Sequence, residues 1–74
     1  MLNASVLLKT VPTKAERILN LVKDMDGVRK AYLIYGRFDI VIFLEANSYK
    51  DIRRITSEIN SVEGVRSSET LAEA

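Results

Sequence analysis

Cysteine and histidine are both missing from this chain of 74 residues. Their absence removes disulfides, thiolate nucleophiles, imidazole bases and nearly every zinc or copper site. No metal centre and no cofactor is therefore expected, and a cysteine-free chain fits a reducing interior. No apolar run approaches the roughly 20 residues that span a bilayer. The start, Met1-Leu2-Asn3-Ala4-Ser5, lacks the basic and apolar segments of a signal peptide. The expectation is a cytoplasmic protein with no membrane contact. An excess of one charge is missing too, since the formal net charge is +1. The densest basic group, Lys50, Arg53 and Arg54, shares its segment with Asp51 and Glu58. It reads as a solvated face, and direct contact with nucleic acid is not expected.

What is present begins with a repeat. Met25-Asp26-Gly27-Val28-Arg29 recurs half a chain later as Val62-Glu63-Gly64-Val65-Arg66. Each copy sits between a helical pattern and a strand pattern, so both halves read strand, helix, strand. Two such halves imply an α+β fold of ferredoxin-like βαββαβ order: a four-stranded antiparallel sheet with two helices on one face. Residues 1–74 are expected to form one domain, near the lower size limit for a core that stands alone.

Residues 3–10 read as a first strand, closed by Pro12, which cannot donate to a ladder. Thr13 and Glu16 have capping-box spacing. Ala15, Ile18, Leu19, Val22 and Met25 then form a helical stripe that Gly27 terminates. A second strand covers 28–35, and Gly36-Arg37 makes a tight connection to a third at 38–46. Asn47 and Ser48 offer caps for a second helix with the stripe Tyr49, Ile52, Ile55, Ile59 and Val62. Gly64 marks the last turn, and residues 65–71 complete the sheet.

The third strand is apolar on both sides, with Phe38, Ile40, Ile42 and Leu44 on one face and Val41 and Phe43 on the other. The first strand adds either Val6 and Leu8, or Leu7, to the face without helices. Two helices cover only one face of such a sheet, so an apolar open face is expected. A patch of that kind marks an interface, and a symmetric sheet-to-sheet dimer would cover it.

With Gly36-Arg37-Phe38-Asp39 between the middle strands, Gly64-Val65-Arg66 after the second helix and Ser68-Glu69-Thr70 in the last strand, the chain resembles a known family. It is similar to the effector-binding (RAM) domain of the Lrp/AsnC, or feast/famine, transcription regulators. The resemblance spans essentially the whole chain. Family members usually read Gly-x-Tyr/Phe-Asp and Thr-x-Thr, so Ser68 is a departure that keeps the hydroxyl.

The resemblance implies a sheet-to-sheet homodimer, dimers assembled into rings, and an amino-acid effector held where dimers meet. Gly36, Arg37 and Asp39 would form the effector loop, with Ser68 and Thr70 supplied by a neighbouring subunit. An amino acid is a zwitterion, which Asp39 could meet at the ammonium and the two hydroxyls at the carboxylate. Bland roles compete at each position. Gly36 serves a hairpin turn in any case, Asp39 can cap that turn, Arg37 can meet solvent alone, and Ser68 and Thr70 can face water. Arg29 and Arg66 read as surface ion-pair residues.

The helix-turn-helix part of the full-length regulators is not seen here. The leading expectation is therefore a stand-alone sensing and oligomerisation module, acting in transcription through full-length regulators of the family. An ACT-like regulatory module or a pure assembly subunit is the alternative. An enzyme would need an acid–base constellation, and the Asp, Glu, Lys and Tyr residues form no recognisable one.

Overall fold

Alternation along the first strand decides which side of the sheet is buried. In β1, Leu2–Thr10, the side chains of Ala4, Val6, Leu8 and Thr10 are buried, while Asn3, Ser5, Leu7 and Lys9 face the other way. Leu7, not Val6 and Leu8, thus belongs to the open face. The computed structural model describes residues 1–73. Its further elements are a 3-10 turn at Pro12–Lys14, α1 (Ala15–Lys23), β2 (Val28–Leu33), β3 (Ile40–Ala46), α2 (Tyr49–Asn60) and β4 (Val65–Ala72).

The sheet runs β2-β3-β1-β4 with every pair antiparallel, which is the ferredoxin-like order. Ile18, Leu19 and Val22 of α1 and Ile52, Ile55 and Ile59 of α2 join Val6, Leu8, Ile40, Ile42 and Leu44 in one core. Each such aliphatic side chain contributes about 1.5–3 kcal/mol on full burial. The stripes expected of both helices are therefore present, except at Tyr49. That ring is 46% exposed, and its hydroxyl donates to the Glu73 carbonyl at 2.6 Å, tying the N-terminus of α2 to the end of β4.

The repeated corner is one structure made twice. Gly27 and Gly64 have φ of +89° and +100°, the left-handed region that favours glycine. The Gly27 carbonyl accepts from the Glu45 amide at 2.9 Å, and the Gly64 carbonyl accepts from the Val11 amide at 2.8 Å. Val28 N–H to Met25 O and Val65 N–H to Val62 O are both 3.2 Å.

Three expectations fail locally. The Thr13–Glu16 capping box does not form: the 3-10 turn precedes α1, and Lys14 takes the N-cap position with no side-chain cap. Pro12 starts that turn, and the amides of Lys14 and Ala15 already donate to Val11 and Pro12 carbonyls. Also, α1 stops at Lys23, ahead of Gly27. Lastly, β2 ends at Leu33 and β3 begins at Ile40 instead of Phe38, because Ile34 N–H to Asp39 O at 2.9 Å is the last rung and residues 35–38 form the loop. The cap on α2 does form, with Ser48 Oγ accepting from the Asp51 amide at 3.2 Å. Ser48→Ala should therefore cost about 1 kcal/mol, whereas Thr13→Ala should stay within about 0.5 kcal/mol; urea unfolding of the two variants checks the contrast.

Candidate functional site

The loop between β2 and β3 is where polar groups converge next to concave surface. Gly36 has φ +127° with open space around it, and Arg37 and Tyr35 are exposed. Asp39 is more constrained. Its amide donates to the Leu8 carbonyl at 2.8 Å. Its carboxylate Oδ2 accepts from the Thr10 amide at 2.8 Å, lies 3.4 Å from Thr10 Oγ1, and is 4.0 Å from Lys9 Nζ. Thr10 is fully buried, so Asp39 satisfies a polar residue at the edge of the core. It fastens the end of β1 to the start of β3 instead of capping its own turn. Oδ1 has no hydrogen-bond partner among the described residues, and the side chain remains 26% exposed.

Beside Asp39 lies a cleft of ≈ 350 Å³, with Pro12, Thr13 and Glu16 on one wall and Leu33 and Tyr35 on the other. The 3-10 turn that displaced the capping box shapes one side of it. Ser68 and Thr70 stand elsewhere. They pair with Leu8 and Val6 of β1, whose side chains are buried, so both point to the helix-bearing side along an edge strand. Ser68 is half-buried and Thr70 exposed. One chain thus gathers Gly36, Arg37 and Asp39 on a single loop and leaves Ser68 and Thr70 on β4, with β1 between β3 and β4.

Thr10 and the cleft wall at Pro12, Thr13 and Glu16 were not anticipated. Thr10 was discoverable, because it falls on the buried register of Ala4, Val6 and Leu8, and a buried hydroxyl requires a partner.

The open face is as apolar as expected. Tyr32, Phe43 and Leu71 are 49%, 40% and 55% exposed, and Tyr32 meets Phe43 edge to face with ring centroids 6.3 Å apart. A groove of ≈ 840 Å³ crosses this face between Lys30 and Glu73. Arg29 pairs with Glu45 at 2.8 Å, as its surface position suggested. On α2, Arg54 pairs with Glu58 at 3.3 Å, in keeping with a solvated face. Among the described residues no three His, Cys, Asp or Glu side chains cluster as metal ligands, and no helix is long and apolar enough to cross a membrane.

A ferredoxin-like sheet with a polar loop over a cleft and an apolar open face gives this chain the architecture of a small domain with a candidate ligand cleft. The chain belongs to the Lrp/AsnC family: residues 3–72 match its ligand binding domain. None of the curated proteins matches it. Among solved structures, TTHA0845 from Thermus thermophilus superposes with a TM-score of 0.96 at 23% identity, covering 100% of this chain and 94% of that one. The transcriptional regulator NMB0573 from Neisseria meningitidis, solved with L-Met, gives 0.84 at 13% identity over 99% of this chain and 49% of that one. The siroheme decarboxylase NirDL, solved with an iron-uroporphyrin III analogue, gives 0.89 at 13% identity over 99% of this chain and 25% of that one. At these identities the three likenesses concern the fold alone.

Proposed function

We propose that this chain is a single-domain sensing and assembly module that binds an amino acid or similar zwitterion and acts on transcription through a partner regulator in the cytoplasm. The match of residues 3–72 to the Lrp/AsnC ligand binding domain carries this reading. The chemistry of the loop supports it. Asp39 Oδ2 is committed to Thr10, which leaves Oδ1 to accept from a ligand ammonium at the mouth of the cleft. Arg37 and the amides near Gly36 lie on the same loop.

Ser68 and Thr70 sit on a different strand from that loop, so they would reach the ligand from a neighbouring copy. Binding and assembly would then stabilise one another. The regulator NMB0573 with its bound L-Met gives a precedent for the ligand class on this fold. A pure assembly subunit, or an ACT-like module, is the alternative. NirDL shows that the fold also serves an enzyme, but fold does not decide function, and no acid–base pair stands out in this chain.

Thermal unfolding against the twenty amino acids tests the reading. A ligand at about 100 times its dissociation constant adds roughly 2.7 kcal/mol, which raises Tm by about 10–20 °C in a domain this small. Thr70→Ala, at an exposed position, should abolish that shift while leaving the ligand-free Tm unchanged. No shift with any amino acid would make the assembly subunit the better account. Pull-downs that recover no regulator would remove the partner.

A further inference from the structure

The capping box that does not form on α1 leaves two polar side chains without a task. The 3-10 turn serves the amides of Lys14 and Ala15 from the backbone. Thr13 and Glu16 are thereby released, and among the described residues neither side chain has a hydrogen-bond or ion-pair partner. Both line the cleft of ≈ 350 Å³ that Asp39 joins from the β2–β3 loop.

Charge in and around this cleft is one-sided. Glu16 and Asp39 bring carboxylates from two different elements, and Pro12, Leu33 and Tyr35 make the rest of the lining largely apolar. No lysine or arginine lines it among the described residues. Lys14 and Arg17, the cations closest to Glu16 along the chain, both turn to Glu63, at 3.2 and 3.8 Å. Lys9 lies 4.0 Å from Asp39 Oδ2, the oxygen already given to Thr10. Clefts with low-dielectric walls and one sign of charge focus the field and concentrate ligands of the opposite sign.

We infer that this cleft selects an amino acid with a cationic side chain, of the lysine, ornithine or arginine class, and that Glu16 determines that specificity. The inference rests on the amino-acid reading of the same site and adds the chemistry of the side chain. With the α-ammonium at Asp39 Oδ1, the methylenes of the ligand would lie on Pro12, Leu33 and Tyr35. The terminal cation would donate to the Glu16 carboxylate and to the Thr13 hydroxyl oxygen, a charge-assisted contact. A neutral side chain would leave Glu16 unpaired, and an acidic one would meet repulsion. The volume of the cleft lies at the lower end of the range of about 300–1,000 Å³ for small-molecule sites, which suits a single amino acid.

Titration calorimetry tests this with lysine, norleucine (lysine without its side-chain ammonium), glutamate and cadaverine (lysine without its carboxylate). Three chains are compared, wild type, Glu16→Gln and Glu58→Gln, each checked for folding by circular dichroism. Wild type should bind lysine about tenfold or more tighter than norleucine, and glutamate more weakly than either. Glu16→Gln should bring lysine and norleucine to within about threefold of one another. Glu58→Gln removes the same charge from α2, where Glu58 pairs with Arg54, and should keep the preference. Norleucine bound as tightly as lysine, or a preference that survives Glu16→Gln, would overturn this inference and leave the amino-acid sensor standing. No binding of any amino acid would overturn the sensor reading and this inference with it. Cadaverine bound as tightly as lysine would support Glu16 as the anionic end of the cleft and overturn the amino acid as its ligand.

Discussion

Gly27→Ala is expected to lower the unfolding free energy by about 2–4 kcal/mol, enough to leave a domain of this size largely unfolded when warmed. Two effects add. The backbone at φ +89° is strained for any residue with a Cβ, and a Cβ there would fall on Ile55 Cδ1 and within 3.5 Å of the Glu45 carbonyl. Ile55 is 2% exposed, so its methyl can move only into a filled core. Gly64→Ala makes the control, since the corner is the same. Its Cβ would meet Lys14 Cδ at 3.0 Å and Ile18 Cδ1 at 3.1 Å. The lysine stem can swing into water, and the fully buried Ile18 need yield only a few tenths of an ångström, which leaves a cost closer to the backbone strain alone, about 1–2 kcal/mol. Urea unfolding of both variants decides the matter. Equal losses would mean that Ile55 repacks freely and the packing half of the argument is wrong.

Asp39→Ala should cost about 1–3 kcal/mol in ligand-free protein, seen as a Tm lower by roughly 5–20 °C. The buried Thr10 amide would lose a charge-assisted acceptor 2.8 Å away, and its hydroxyl would lose the same oxygen. This loss has a consequence for any binding experiment at the loop. An Asp39→Ala variant that no longer responds to an amino acid reports on the end of β1 as much as on the ligand. Asp39→Asn separates the two, because an amide oxygen can still accept from Thr10 while the charge facing an ammonium is gone. It should recover most of the Tm and none of the ligand response. If Asp39→Asn is as unstable as Asp39→Ala, Asp39 holds Thr10 through charge and not through geometry.

Most of the architecture was legible because period and repetition are strong constraints on a small chain. The stripe Ile52, Ile55, Ile59 fits only a helix, the alternation Ile40, Ile42, Leu44 fits only a strand, and the doubled Gly-Val-Arg gave the order of the halves. The errors cluster at element ends, where local hydrogen bonds compete on nearly equal terms. Pro12 and the Val11 carbonyl built a 3-10 turn in place of the Thr13–Glu16 capping box, and the Ile34–Asp39 rung opened the turn at Gly36 into a longer loop. Tyr49 left the helical stripe because its hydroxyl found the Glu73 carbonyl. The family pattern named Gly36, Asp39, Ser68 and Thr70, of which one chain gathers only Gly36 and Asp39 on a shared loop, with Ser68 and Thr70 apart on β4. The cleft beside that loop was not legible, since its walls come from α1's lead-in turn and the end of β2, which touch only in three dimensions.

The strand order β2-β3-β1-β4 has one more consequence. The first half of the chain supplies β1 and β2 and the second supplies β3 and β4, so no two strands of the same half are neighbours. The corners follow the same rule: Gly27 is held by Glu45 of the second half, and Gly64 by Val11 of the first. Every ladder therefore closes across the midpoint of the chain, and the local hairpin β2–β3 joins the two halves. The β1 ladders with β3 and β4 need long-range closure, so folding should be slower than for a helical bundle of equal length. Severed at the Gly36 loop, the two pieces would each be unfolded alone and would regain the sheet only by finding one another.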